Sequence, residues 1–208
     1  MSRLMAVIYD RIMRGTEQAC LQQWRGELLG QCYGRVLEIG AGTGASLPLY
    51  PKGIEELLLC EPDDAMRRQL DRRLSSQDWD LQINLASFSG EQLVVEDGSV
   101  DCVVSSLVLC SVSHQPSALE ELFRVLKPGG ILLFVEHVAA PKASSRYRWQ
   151  RRIEPFWKRM AGNCHLTRCT EQAIVDTGFV LDRVERESLR KAPPFVRPSI
   201  RGVARKPN

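Results

Sequence analysis

Two acids and three glycines in one short stretch have the types and spacing to hold a ligand. Gly40, Gly42 and Gly44 follow directly on the apolar run Val36-Leu37-Glu38-Ile39, with Ala41 inside the glycine series. Glu61 stands about twenty residues beyond Glu38. Glycine lets the chain turn tightly and lets a ligand lie against bare backbone. The spacing is Gly-x-Gly-x-Gly, not the Gly-x-Gly-x-x-Gly of dinucleotide sites, where a helix N-terminus receives pyrophosphate. An acid just ahead of the turn disfavours an anion and suits a cationic amino group. Glu61, at the end of the next strand, suits the two hydroxyls of a ribose. A structural strand-to-helix turn with solvated acids would explain any one of these residues. The coupled set points instead to a nucleoside with a positively charged tail.

Around these residues, apolar runs and amphipathic stretches alternate along the chain, which predicts an α/β fold with a mainly parallel sheet. Met5 to Leu29 reads as one or two helices ahead of the core. Strands are expected at Arg35–Ile39, Leu57–Cys60, Leu81–Ser87, Val100–Ser105 and Ile131–Glu136. The uninterrupted apolar run at Val100 suits the centre of a sheet. Helices are expected from Thr43 to Leu49, from Pro62 to Leu74 with proline in the first turn, from Ser117 to Leu126, and from Thr170 to Thr177. Phe179–Glu187 and Ser199–Arg205 complete the sheet as an antiparallel hairpin, joined by a segment carrying three prolines. The length of 208 residues fits one domain over 1–208. Residues 1–33 precede the core, and 139–168 break the alternation as a lid-like insertion.

Leu37-Glu38-Ile39-Gly40-Ala41-Gly42-Thr43-Gly44 resembles the first motif of class I S-adenosylmethionine-dependent methyltransferases. Ser89-Gly90-Glu91-Gln92-Leu93 with Glu96-Asp97-Gly98-Ser99-Val100-Asp101 resembles their adenine-side segment, and Leu122 to Gly130 their turn before strand five. Leu107-Val108-Leu109-Cys110-Ser111-Val112, Phe134-Val135-Glu136-His137-Val138-Ala139 and Gly162-Asn163-Cys164-His165-Leu166-Thr167-Arg168 are similar to the alkyl-thiol S-methyltransferase type. Tyr9-Asp10-Arg11 and Trp24 to Leu29 resemble the same family's helix before the core. The resemblance implies a Rossmann-like seven-stranded sheet and S-adenosylmethionine as methyl donor, with S-adenosylhomocysteine as product. It implies that Glu38, Gly40, Ala41, Gly42 and Gly44 lie at the methionine end. Glu61 and Pro62 would meet the ribose and Ser89 and Gly90 the adenine, with Ser106 and Leu107 beneath the sulfonium.

Methyl transfer from a sulfonium is an in-line displacement that neutralises charge, so the protein chiefly positions and desolvates. A thiol reacts as its thiolate, and a free thiol has a pKa of about 8.5. His137, ending a strand at the carboxyl edge of the sheet, is the candidate base. A hydrogen bond to a neighbouring loop is its alternative role. Cys110, Trp157, Asn163, His165 and Arg168 are candidates for the acceptor pocket. Cys110 reads as a small apolar lining residue or as a nucleophile. From Lys142 to Arg168, eight basic residues stand against the single acid Glu154, interleaved with aromatics. Ile153, Trp157 and Met160 fall on one helical face. A helical lid over the acceptor is the preferred reading, beside peripheral membrane contact through 142–168 and a plain solvated face.

Composition narrows the class. Hydrophobic residues are 44% and charged residues 25%, a globular balance, and a net charge of +3 does not argue for nucleic acid. No apolar run reaches about 18 residues, so no transmembrane helix is expected, nor does the N-terminus read as a signal peptide. The seven cysteines, scattered and mostly inside apolar runs, read as reduced thiols of a cytoplasmic protein. Cys164, His165 and Cys169 lack a paired Cys-x-x-Cys, so no metal is expected. The leading expectation is methylation of a small thiol. Its rivals are an N- or C-methyltransferase of a lipid headgroup amine or a quinone-type ring, a cofactor-binding protein without turnover, and a nicotinamide dehydrogenase, which the glycine spacing and Glu38 weaken. The oligomeric state is open.

Overall fold

The computed structural model describes the chain from Arg3 to Asn208, with side chains from Tyr9 onward. Seven strands form one sheet: β1 Arg35–Ile39, β2 Glu56–Cys60, β3 Ile83–Ala86, β4 Val100–Ser106, β5 Leu126–His137, β6 Val180–Ser188 and β7 Pro198–Arg205, in the order β3-β2-β1-β4-β5-β7-β6. The first five are parallel, and β7 pairs antiparallel with both β5 and β6. This is the expected Rossmann-like sheet. Strand order reverses between β1 and β4, and at such a point the carboxyl ends open a crevice.

Alternation along the strands sends successive side chains to opposite faces. Val36, Leu57, Leu59, Cys102, Val104 and Leu133 join one core with Leu21, Trp24 and Leu28 of the N-terminal helices and Leu70 of α3 (Asp64–Leu74). Leu37, Ile39, Val103, Leu132 and Phe134 join the other with Leu119 and Leu122 of α4 (Gln115–Val125) and Ile174 of α6 (Thr170–Asp176). The N-terminal helices are α1 (Arg3–Thr16) and α2 (Gln22–Leu29), joined through one π-helical turn at Glu17–Leu21. On β7, Arg201 pairs with Glu27 of α2 at 2.5 Å and with Glu185 and Glu187 of β6, so this cation ties the pre-core helix to the hairpin.

Three expectations need correction. No α-helix follows the glycine loop; a short 3-10 turn at Leu47–Leu49 is all that forms. Pro48 lies in it, and Pro51 and Gly53 follow before β2, so the backbone cannot sustain i to i−4 bonding there. Pro62 lies outside α3, whose N-cap is Asp63, accepting from the Ala65 and Met66 amides at 2.9 and 3.0 Å. The long basic helix α5 (Ser145–Met160) does form, and on its expected apolar face Ile153 and Trp157 are half-buried but Met160 is exposed, as are Trp149 and Phe156. Its one buried residue is Gln150, which donates to the Val138 and Phe195 carbonyls at 3.2 and 3.0 Å and accepts from the Ala140 amide at 2.8 Å. That amide side chain fastens α5 to the chain after β5 and to the hairpin connection.

Gly202 of β7 marks the tightest approach in the sheet. A Cβ there would lie 2.1 Å from the Arg183 carbonyl oxygen and 2.9 Å from the Phe134 ring. Gly202→Ala is expected to cost about 3 kcal/mol, the upper end of overpacking. Gly53→Ala, where a Cβ meets nothing within 4 Å, should stay within about 0.5 kcal/mol. Urea unfolding midpoints at constant slope measure both; equal midpoints would refute this packing.

Candidate active site

The glycine loop leaves β1 at Gly40 (φ 58°) and turns again at Gly42 (φ 58°), conformations open to glycine at little cost. The two glycines serve different ends. A Cβ on Gly40 would strike the Val108 side chain at 2.5 Å, so this position lets the turn after β4 press against the loop. A Cβ on Gly42 meets only the Gly40 carbonyl at 4.0 Å, so its face is open to a ligand. Gly44 packs against Leu70 and Leu47 instead. The loop is pinned from outside: the Thr43 hydroxyl donates to Asp10 of α1 at 2.6 Å, and Arg73 of α3 donates to the Thr43 carbonyl at 3.2 Å.

Both acids stand at the carboxyl ends of β1 and β2 or just beyond, Glu38 within β1 and Glu61 directly after β2. Glu61 is buried, with one oxygen accepting the Gly42 amide and the other the Asp63 amide, each at 2.8 Å. Each carboxylate oxygen keeps further acceptor capacity, which two ribose hydroxyls can fill. Glu38 is buried and accepts from Ser46 at 2.7 Å and Tyr50 at 2.9 Å. Burial holds both carboxyls above the usual carboxylate range, offset in part by these donors. Nearby, Arg25 of α2 is buried, ion-paired with Glu17, and close enough to Glu38 to oppose its upward shift. Arg25 Nε has no partner among the described residues. Sequence reasoning gave this cation no role, although it lies in the Trp24 to Leu29 stretch that resembles the family's helix before the core. Together these groups fit an amino-acid-bearing nucleoside: acid for the ammonium, guanidinium for the carboxylate, acid for the ribose. Ser89 bridges to Gln92, and Gly90 is buried against Ile39 and Val112 near the end of β3. No helix N-terminus follows the glycine loop among the described residues, so the anion site that pyrophosphate needs is missing.

Beyond β4 the chain turns through Ser106 and Leu107, the latter at φ 61°. Glu136 of β5 organises this turn. Its fully buried carboxylate accepts from Ser105 Oγ at 2.7 Å and from the amides of Val108, Leu109 and Cys110 at 3.1, 3.1 and 3.2 Å. Neither the role of Glu136 nor this turn was legible beforehand.

The acceptor-side candidates divide. Asn163 donates to the Ser111 carbonyl at 2.9 Å, and Arg168 to the Leu109 and Val112 carbonyls, each at 2.7 Å. Their polar groups brace the backbone after β4. His165 lies 3.8 Å from Glu154, and its backbone amide donates to the Cys110 carbonyl at 2.8 Å. Burial and the cations Arg168 and Lys158 hold the His165 imidazole below its ordinary pKa. By contrast Cys110, His137 and Trp157 converge with Cys164. His137 is 1% exposed, with Nδ1 3.9 Å from Cys164 Sγ and Nε2 without a partner among the described residues. Cys110 and Cys164 are both buried. The Cys110 thiol, with His137 and Trp157 adding, holds Cys164 well below the ordinary thiol pKa, while Cys110 is pushed up. Trp157 stacks edge-on to Phe195 at 5.1 Å, and its indole N–H is buried without an acceptor among the described residues. Cys169, grouped with Cys164 and His165 when a metal was considered from sequence, is exposed and apart.

Glu61→Gln removes the charge and keeps an acceptor oxygen for only one of the two loop amides of Gly42 and Asp63. Affinity for S-adenosylmethionine is expected to fall by about 10- to 100-fold, the worth of charge-assisted hydrogen bonds. Calorimetric titration measures it, and unchanged affinity would sink the ribose role.

Comparison with known proteins agrees with this geometry. Residues 37–134 match the family described as "Methyltransferase domain". The thiol S-methyltransferase TMT1B of Homo sapiens is 36% identical over 190 residues, covering 88% of this chain and 77% of that protein. TMT1B of Rattus norvegicus is 37% identical over 175 residues, covering 81% and 69%. The geranyl diphosphate C-methyltransferase of Streptomyces coelicolor, solved with S-adenosyl-L-homocysteine, superposes with a TM-score of 0.72 at 15% identity, covering 90% of this chain and 76% of that one, and so shares the fold. The chain is a class I S-adenosylmethionine-dependent methyltransferase and belongs to the family of the thiol S-methyltransferases TMT1A and TMT1B.

Proposed function

We propose that this enzyme methylates the sulfur of small alkyl or aryl thiols. The observation that carries the reading is the buried group of His137, Cys110 and Cys164 at the carboxyl ends of β4 and β5, where a soft nucleophile meets an imidazole and no solvent. The relatives' own description as thiol S-methyltransferases supports it. S-adenosylmethionine, when bound, supplies an electrophilic methyl on a sulfonium. Glu61 would take its ribose hydroxyls, Glu38 with Ser46 and Tyr50 would orient the ammonium, and Arg25 Nε would donate to the carboxylate. The turn from Ser106 to Cys110, fixed by Glu136, would line the place where an acceptor sulfur has to lie in line with the methyl group. His137 takes the thiol proton. Trp157 covers the acceptor and keeps water out, which is the lid role of α5.

The outward face of α5 supports a further contact. Trp149, Phe156 and Met160 are exposed beside Arg152 and Arg159, a pattern suited to an anionic membrane surface. No helix among the described residues is long and apolar enough to cross a membrane.

Incubating the enzyme with S-adenosylmethionine and a panel of alkyl and aryl thiols, with mass-spectrometric detection, is expected to yield methyl thioethers. Amines and quinols should remain unmodified; methylation of those alone would overturn the reading. Trp157→Phe should raise the acceptor KM about 10-fold, the range of a lost pocket contact, with cofactor affinity unchanged. Equal loss of both would refute the lid.

A further inference from the structure

We propose that Cys110, His137 and Cys164 form a zinc site. Their ligand atoms all lie within 4.8 Å of one another, and all three residues are buried. They come from three separate places, the turn after β4, the last residue of β5 and the loop after α5. Zinc binds thiolate at about 2.3 Å and imidazole at about 2.0–2.1 Å, so a tetrahedral site has sulfur–nitrogen edges of about 3.6 Å. The observed Cys164 Sγ to His137 Nδ1 separation of 3.9 Å is close to that edge.

A second observation points the same way. A buried imidazole nitrogen ordinarily has a hydrogen-bond partner, yet the partner of His137 Nδ1 among the described residues is the Cys164 sulfur at 3.9 Å, with Cys110 Sγ in the same cluster. A cation shared by Nδ1 and the two sulfurs accounts for why this nitrogen faces thiols. A divalent cation balances two thiolates, so the set becomes neutral in a site that excludes water.

Three protein ligands leave the fourth tetrahedral position open, as in zinc sites that do chemistry. In the zinc-loaded protein this position takes the acceptor sulfur, a consequence that rests on the thiol reading above. The thiol loses its proton to solvent on binding, a task the cation takes over from His137. The acceptor's S–CH3 bond then forms as the donor's sulfonium–CH3 bond breaks. Thiol and S-adenosylmethionine give methyl thioether, S-adenosylhomocysteine and a proton.

The test uses the full chain. Protein stripped with a chelator is titrated with zinc and, separately, with cobalt(II). Elemental analysis is expected to show one zinc per chain, and cobalt to give the thiolate charge-transfer and intense visible bands of a tetrahedral site. Cys110→Ser, Cys164→Ser and His137→Gln should each lose the zinc and the bands. Cys169→Ser, which alters an exposed thiol, should keep both. Circular dichroism and S-adenosylmethionine titration identify which variants remain folded, and only those are compared. Absence of zinc from the wild type, or its retention in a folded His137→Gln, Cys110→Ser or Cys164→Ser protein, overturns the site. Thiol methylation by a demonstrably metal-free enzyme at full rate overturns the catalytic consequence. A zinc-loaded protein that methylates no thiol in the panel keeps the site and removes the acceptor reading.

Discussion

A single buried carboxylate sets the geometry on which the rest of the site depends. The chain leaving β4 must turn, and the turn leaves three successive amide N–H groups, those of Val108, Leu109 and Cys110, without strand partners in a largely buried position. Glu136, on the neighbouring strand, accepts all three together with the Ser105 hydroxyl. A carboxylate offers about four acceptor sites, so its capacity matches the demand. Removing it would strand three buried donors, each costing about 1–3 kcal/mol. Burial raises the Glu136 pKa, and the four donors counter part of that rise.

The consequences run in two directions. Toward the cofactor, the turn carries Val108, whose side chain occupies the space that a Cβ on Gly40 would need. The glycine loop is therefore shaped by what lies after β4 as well as by its own backbone freedom. Toward the acceptor, the turn presents carbonyls that the rest of the chain grips. Leu109 receives Gln115 of α4 at 3.0 Å and Arg168, and Cys110 receives the His165 amide. The start of α4 and the loop after α5 both take their positions from backbone that Glu136 has fixed. Cys110 and Cys164 are neighbours through this chain of contacts.

What sequence reveals follows from how local each signal is. The strands were legible because unbroken apolar runs and alternation record burial residue by residue, and the switch-point crevice follows from their order. The glycine loop and its acids were legible because spacing within a turn is itself the chemistry. The missing helix after the loop was misread because its apolar residues carry a helical period that Pro48 and the neighbouring breakers override. Glu136, Gln150 and Arg25 left no such trace. Each is a polar residue buried by partners that lie far off in sequence or outside its own periodic face; Glu136 reaches back 26 to 28 residues to its amides. The cluster of Cys110, His137 and Cys164 is of the same kind, since residues on three elements make no motif. Met160 shows the converse, where a helical period is real and its face is half-buried at Ile153 and Trp157, but the last turn leaves Met160 exposed.

The donor and acceptor sides are consequently built to different standards. The donor crevice sits on the central strands β1, β2 and β4, with Glu38 and Glu61 fixed by core backbone and by residues of adjoining loops. In the proposed reading the acceptor side is covered by α5, which is fastened by Gln150, by the bond from Thr167 to Glu154 at 2.7 Å and by the Trp157–Phe195 edge contact. Segments with few buried apolar contacts open at lower free energy than the sheet beneath them. A small acceptor must enter and a thioether must leave, whereas the nucleoside is the same in every turnover. Rigid placement of the donor with a loosely pinned cover over the acceptor meets both needs. It also accounts for why the donor could be read from spacing in the chain, while the acceptor pocket had to be read from contacts in three dimensions.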